Sequence, residues 1–549
     1  MIIGGKNSVL LTFTLITIFY LFTRWLIFNG FNGTDDLHYA FLAASAVKHQ
    51  YNAFLPNEIL SGRILLITFQ SIIYRVAGIN TITTQLGTLF VTVLSCWLTV
   101  FKILKYHDPI PVIVASSLFY FNPVLTNASI GIMPDPYIML VGICVVLILK
   151  NIILKTPGKF KQTSAFFLGQ LIGLSLLIKE ISILFLPFCF IFFLIYRQER
   201  YVRLILWMFF GFATIVLIAG SFYYTTTGDV FFKIHQINNS NFPNSCSDLI
   251  GGKALLARMT YKVWQAFFVQ GFYPAIIAFA ILIVQLFQKR KLFQKAHFDT
   301  IAFIVLLMLG LYFPFSLMQY KPVCAESRHF LFLLPWAVVV VMKFLYPKIL
   351  SSQKKYTMFW IFVFLLIASV FSTYNKWQWM IYLLLTVIFL FEPLMKNGSA
   401  LFSICFSLIM WLSLTENFFL RNNSWWKEMQ TLNNMLPVGN FYFADDDNLM
   451  HWELLRKFNL TDNTVFNLKS NPIKAFAYYY PKLEDHSFKP GWFILNKYYT
   501  VLPQKFSQSL DSLKGIKLFS RTIQFPHVEG LYIENVKQLN IIRNLAEIN

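Results

Sequence analysis

Gly33-Thr34-Asp35-Asp36-Leu37-His38-Tyr39 is the stretch on which the reading of this chain turns. It follows an apolar run, 8–28, long enough to cross a bilayer at about 1.5 Å per residue. Two adjacent carboxylates therefore stand where a membrane helix meets water. Charge is costly near a membrane, which makes the pair a functional candidate. The same residues also fit a plain helix start, with Thr34 or Asp35 capping a helix that begins near Leu37. The pair alone does not separate these readings; the rest of the chain has to.

The composition supplies the setting. Of 549 residues, 57% are hydrophobic and 60 are Phe, and only 13% are charged; mean hydropathy is +0.58. Soluble domains carry about 25% charged residues. Repeated apolar runs of about 17–25 residues define a polytopic membrane protein instead. A net charge of +21 would suit nucleic acid, but the Lys and Arg residues fall in short clusters between apolar runs. That pattern fits the positive-inside rule and anionic lipid headgroups, so membrane lipids and not nucleic acid are the expected partners.

Taken in order, the runs predict helices at 8–28, 83–101, 110–125 and 137–154, then a run at 164–196 split in two at Lys179-Glu180. Further helices are expected at 204–224, 263–287, 300–317, 329–345, 357–371, 377–394 and 400–418. This gives about 13 transmembrane helices. The segment 64–76 is too short to span comfortably and reads as an interfacial helix in the first external loop. The basic clusters all land on one side, the cytoplasmic one. After residue 420 polar residues, prolines and both signs of charge appear. Phe441–Ala444, Trp492–Leu495, Ile516–Phe519 and Leu531–Ile533 read as short buried strands, with helices at 425–436 and 449–458. The division is therefore a transmembrane domain, 1–419, and a small external α/β domain, 420–549. The N-terminal run carries no convincing cleavage site and reads as a helix that stays attached.

That topology puts a mixed set of carboxylates and cations in one aqueous compartment. Carboxylates serve as general bases and cations hold phosphate, a combination suited to transferring a group activated by phosphate. Met133-Pro134-Asp135-Pro136-Tyr137 sets a second carboxylate at a helix start, where N-capping is an equally good account. Lys179-Glu180 is a phosphate-binding candidate joined to an acceptor candidate, or an intramembrane ion pair with no catalytic part. Glu326-Ser327-Arg328-His329 is a phosphate site or an interfacial anchor. His38, Tyr39 and His235 are acceptor-side or loop candidates. Asp445-Asp446-Asp447 reads as a solvated acidic loop in preference to a metal site. No CxxC or Cys/His metal spacing appears; no metal ligands are assigned, although a divalent cation is compatible with the carboxylates.

The order of these motifs resembles a known family. An early helix is followed by Asp35-Asp36-x-x-Tyr39, then Asp135-Pro136 opening the fourth helix, a Lys179-Glu180 turn, and Arg328 six residues before Leu334-Pro335. The pattern is similar to the GT-C membrane glycosyltransferases, in the protein O-mannosyltransferase-like and aminoarabinose-transferase-like branch, over residues 8–345. The resemblance implies a sugar donor on a polyprenyl phosphate and an acceptor (glycolipid such as lipid A, envelope glycan or protein) outside the cytoplasmic membrane. It makes Asp35 the general base and Asp135 the second essential carboxylate. Asp36 stands where Glu is commoner. Arg63 falls where relatives often carry Lys before prolines, which Ser61-Gly62-Arg63 lacks; Arg328 is the second phosphate ligand. The external domain matches no motif.

Two other classes compete. A lipid or solute transporter would explain helices and intramembrane charge, but no inverted repeat is seen. A polyprenyl-linked polysaccharide ligase or polymerase would lean on a late external loop, whereas the acidic motif here comes early. The expected location is the inner (cytoplasmic) membrane, with the active site facing the periplasm. Cys246 and Cys324 are the two cysteines outside apolar runs, and the topology gives them one compartment. In an oxidising space a disulfide between them is expected, worth about 4 kcal/mol in loop-entropy terms.

Overall fold

A computed structural model of the chain describes residues 6–28, 30–31, 35–47, 59–154, 158–196, 201–239, 256–287, 298–313 and 323–344, then 383, 407–408, 411, 414, 424–435, 441–445, 465–468, 491–496, 521–526, 528–534 and 538. Among these residues five helical stretches are long and apolar enough to cross a membrane: Asn7–Ile27, Thr81–Leu104, Pro134–Leu154, Tyr201–Thr227 and Ser327–Phe344. The protein is a multi-pass membrane protein.

The first helix, α1 (Lys6–Ile27), turns Leu11, Leu15, Phe22 and Trp25 outward, as a lipid-facing helix must. Its inner face packs on α5 (Pro109–Tyr120), where the rings of Tyr20 and Tyr120 stack with centroids 4.5 Å apart. The same face carries a buried arginine. Arg24 donates to the carbonyls of Thr126 (2.8 Å) and Ser129 (2.6 Å), closing the end of the short helix α6 (Pro123–Ala128). A cation in this position satisfies carbonyls that the helix end leaves without partners.

Next come α2 (Asp35–Val47) and α3 (Ile64–Ala77), which pack on each other, and α4 (Thr81–Trp97), capped by Asn80 with Thr83 closing a capping box. The helix α4 runs on as a π-helical segment, Leu98–Leu104. The deeply enclosed α7 (Pro134–Leu154) follows. Then α8 (Gly158–Ser175) ends in a turn at 176–179, a 3-10 segment covers Glu180–Leu184, and α9 is Phe185–Tyr196. The long apolar run thus divides at Lys179-Glu180. α8 lies against α10 (Tyr201–Thr227) at backbone distance. A Cβ on Gly169 would sit 1.9 Å from the Met208 carbonyl oxygen and one on Gly211 2.0 Å from that of Phe166, so only glycine permits the approach.

Two expected single helices are broken. The run 110–125 stops at Phe121 and restarts as α6, because Pro123 has no N–H to continue the first helix and Asn122 accepts the Leu125 N–H to start the second. The run 263–287 divides into α12 (Val263–Val269) and α13 (Tyr273–Phe287) at Gly271, whose φ of +78° belongs to the left-handed region that ends helices. The Asn122 side-chain amide donates to the Gly271 carbonyl at 3.4 Å, so the two breaks meet. α11 (Phe232–Asn239) precedes α12, α14 (Phe298–Tyr312) follows α13, and a 3-10 segment, Ser327–Leu333, leads into α15 (Leu334–Phe344).

Beyond these, α16 (Ser424–Met435) and a five-stranded mixed sheet are formed. The strands are β1 (Phe441–Asp445), β2 (Val465–Leu468), β3 (Gly491–Asn496), β4 (Thr522–Gln524) and β5 (Val528–Ile533), in the order β2-β1-β3-β5-β4. β1 is parallel to β2 and β3, and β5 is antiparallel to β3 and β4. β2 and β4 are not among the expected strands. Trp426 meets Phe31 edge-on at 5.3 Å, joining α16 to the segment after α1. The expected strand at 516–519, the helix at 449–458 and nearly all of the helices at 357–371, 377–394 and 400–418 lie outside the described residues.

Candidate active site

Three helix starts and one turn deliver charge to one end of the bundle. Asp35 and Asp36 open α2, Asp135 lies in the first turn of α7, Lys179 closes the turn after α8, and Arg328 and His329 lie at the start of the 3-10 segment before α15. The last placement has a local cause. The helix break at Gly271 frees Gln270, whose side-chain oxygen accepts the Ser327 N–H at 2.7 Å, while the Ser327 hydroxyl donates to the Ala266 carbonyl at 3.0 Å. The segment that carries Arg328 is therefore pinned to α12.

The charges form two adjoining networks. In the first, Asp135 Oδ1 accepts from Lys179 Nζ at 2.5 Å and lies 3.3 Å from His329 Nδ1, and Lys179 Nζ is 2.8 Å from that same nitrogen. Arg328 extends the network outward: Nη1 is 3.3 Å from Asp35 Oδ2, and Nε is 2.8 Å from Glu326 Oε2. His329 Nε2 faces the same Glu326 carboxylate at 3.7 Å. In the second network Arg63 donates to the Tyr39 hydroxyl and, at 3.2 Å, to Glu180, whose other oxygen is 3.1 Å from Lys233 Nζ. Lys179 and Glu180 are consecutive, so one turn of backbone joins the two.

Burial grades these groups. The side chains of Asp135 and Lys179 are 4% and 9% exposed, those of Asp35, Arg328 and Glu326 19%, 28% and 30%. The inner pair is a fixed electrostatic foundation; the outer three are accessible to a ligand. Burial holds the Lys179 ammonium below the ordinary lysine pKa, against the opposing pull of Asp135. Lys233 is lowered in the same way, against Glu180. Burial pushes the Tyr39 phenol well up, so it meets Arg63 as a neutral hydroxyl.

The structure therefore gathers Asp35, Asp135, Lys179 and Arg328, with Tyr39, Arg63 and Glu180 beside them. Arg63, expected to face a phosphate, has its guanidinium taken up by Tyr39 and Glu180, and its buried Nε is without a partner among the described residues. Asp36 is fully buried, packs on Gly131 and accepts the Leu37 N–H at 3.0 Å, which sets it inside the fold. His38 is half-buried on α2. His235 is apart from both networks: it pairs with Asp229 at 2.7 Å and its side chain is 59% exposed. Two participants had no sequence signal that assigned them a role. His329 lay in a stretch that read equally as a phosphate site or an interfacial anchor, and Lys233 is partnered by a residue remote in sequence. Among the described residues no three His, Cys, Asp or Glu side chains gather as metal ligands. Cys324, just ahead of this segment, is disulfide-bonded, while Cys96, Cys144 and Cys189 are free; Cys246 lies outside the described residues.

The chain thus builds a helical bundle with a network of charges at one end, followed by a small mixed sheet. Among solved structures the chain is similar to ArnT from Cupriavidus metallidurans bound to undecaprenyl phosphate, with a TM-score of 0.57 at 12% identity over 96% of this chain and 98% of that one. It is also similar to ArnT of the same organism in the apo state, with a TM-score of 0.60, 12% identity and coverage of 98% and 99%. No family model matches the chain, and no curated protein matches it.

Proposed function

We propose that this protein is an integral membrane glycosyltransferase. It moves a hexosyl or pentosyl group from a polyprenyl-phosphate donor to an acceptor on the external face of the cytoplasmic membrane. The observation that carries this reading is the accessible Asp35–Arg328 pair resting on the buried Asp135–Lys179–His329 cluster. That the similar ArnT structure was solved with undecaprenyl phosphate bound supports the donor class.

The acceptor's hydroxyl or amine attacks the anomeric carbon as Asp35 takes its proton. The bond from that carbon to the donor oxygen breaks, and the electron pair leaves with the polyprenyl phosphate. Arg328 stabilises the charge on the leaving phosphate, supported by Lys179 and by Arg63 once the donor draws it from Glu180. Asp135 holds Lys179 and His329 in place. Residues 420–549 form a small α/β domain on the same external side, and a Cys246–Cys324 bridge ties the loop after α11 to the Arg328 segment.

The test uses protein reconstituted in liposomes with a set of undecaprenyl-phosphate sugars, following released undecaprenyl phosphate. Wild type releases it from at least one donor, and Asp35→Asn lowers the rate by at least about 100-fold, the lower end of general-base effects. Near-normal turnover by Asp35→Asn removes Asp35 as the base. Lipid exchange across the bilayer without sugar transfer would overturn the enzyme reading altogether.

A further inference from the structure

The opposite end of the bundle holds a second charged cluster that the transfer reaction does not use. Lys150, near the end of α7, donates to both oxygens of Asp299 at 2.7 and 3.0 Å, and Lys343, at the end of α15, pairs with the same carboxylate. Asp135 and Lys150 lie 15 residues apart on one helix (150 − 135), about 22 Å at the helical rise. The same two helices that carry the active-site charges therefore end in this cluster on the other side of the membrane.

The cluster is unbalanced. Among the described residues two lysines share one carboxylate, which leaves a surplus of one positive charge. Asp299 is buried, at 2% side-chain exposure, whereas Lys150 and Lys343 are 23% and 33% exposed. A carboxylate so enclosed requires a cation partner, but one lysine is enough. The apolar stem of the site is aromatic: Lys150 Nζ stands 5.8 Å over the Phe298 ring, and Tyr196 packs on that ring with centroids 5.5 Å apart. Two buried hydroxyls here, Tyr196 Oη and Thr300 Oγ1 next to Asp299, have no hydrogen-bond partner among the described residues. Buried polar groups are normally satisfied, and orphans beside surplus positive charge mark a missing acceptor. The neighbouring element has the same sign. Tyr106 donates to the Met342 carbonyl at 3.4 Å, which brings the end of the π-helical segment, with exposed Lys102 inside it and Lys105 just after it, against the end of α15.

We propose that Lys150, Asp299 and Lys343 form a headgroup site for an anionic phospholipid, at the end that the basic clusters mark as cytoplasmic. The lipid phosphate accepts from the two lysines, with the orphan hydroxyls as further donors, and its acyl chains lie along the apolar faces of the adjoining helices. Basic pockets between membrane helices take anionic lipids by this chemistry. The inference stands on the cluster alone and is independent of the reaction at the other end.

Lys343→Gln removes the surplus charge and leaves the Lys150–Asp299 pair whole, so Asp299 stays neutralised and the fold is preserved. Purified full-length protein is offered equimolar phosphatidylglycerol and phosphatidylethanolamine, and native mass spectrometry reads the bound ratio. Wild type is expected to retain phosphatidylglycerol preferentially. Lys343→Gln should lose about fivefold of that preference, one lysine's share of the attraction to an anionic surface, and Lys343→Arg should keep it. An unchanged ratio in Lys343→Gln overturns the proposal and leaves a clamp between three helices. Displacement of phosphatidylglycerol by an equal concentration of inorganic phosphate overturns it too, since the site would then read a free anion and not a lipid.

Discussion

Asp135 shows how a single residue can be legible in type and illegible in role. Met133-Pro134-Asp135-Pro136 announces a carboxylate at a helix start, but the N-cap account fitted the sequence as well. The structure adds Lys179 and His329, brought from stretches remote in sequence onto the same carboxylate oxygen. Replacement by Asn leaves Lys179 buried beside His329 without an anion, and breaking a buried pair in this way costs about 3–5 kcal/mol. The deficit has a predictable pH dependence. Burial already lowers the Lys179 pKa, so the folded chain binds fewer protons than the unfolded chain between the folded and unfolded values. A lysine lowered in the fold costs stability below its folded pKa, and the cost fades as pH rises toward the unfolded value. Asp135→Asn widens that gap. Thermal unfolding should therefore show a large deficit against wild type at pH 7 that narrows toward pH 10. A deficit independent of pH would mean that Lys179 does not carry it.

At the scale of elements, run length was the readable signal and interruption was the weaker one. The split at Lys179-Glu180 was visible because charge interrupts an apolar run. The breaks at Asn122-Pro123 and Gly271 were visible only as a dipeptide and one glycine inside runs of otherwise spanning length. β2 and β4 escaped because runs of four and three residues carry too little alternation; their pairing, not their pattern, makes them strands. The Gly271 break matters beyond shape, since it frees Gln270 to hold the buried Ser327 N–H. Gln270→Leu leaves that donor unsatisfied at a cost of about 1–3 kcal/mol. Because Ser327 precedes Arg328, the rate of the proposed sugar transfer should fall more than a stability loss of that size explains. Parallel unfolding and turnover measurements at a temperature where the variant stays folded check this; normal turnover there would detach the break from the site.

Over the whole molecule, sidedness decides whether the two charged ends have the roles argued for them. The end that carries Asp35 and Arg328 must face an oxidising, external space if a disulfide is to persist beside it, and the lysine-rich end must face the cytoplasm. Cys324 offers a direct test because it is half-buried, disulfide-bonded and next to the segment that carries Arg328, whereas the free Cys96 and Cys189 are buried. If Cys246 is its partner, Cys246→Ser releases the Cys324 thiol without altering any charged residue of the site. A membrane-impermeant maleimide applied to intact cells should then label the variant and not the wild type, and Cys324→Ser in the same background should abolish the label. The proposed external domain gives a second point, expected on the same side: a cysteine placed at Ser487 should also be reached from outside. Labelling at both positions only after permeabilisation would invert the topology, placing Asp35 and Arg328 in the cytoplasm, where the proposed polyprenyl donor geometry fails. Labelling of wild type as strongly as Cys246→Ser would keep the orientation and remove Cys246 as the bridging partner.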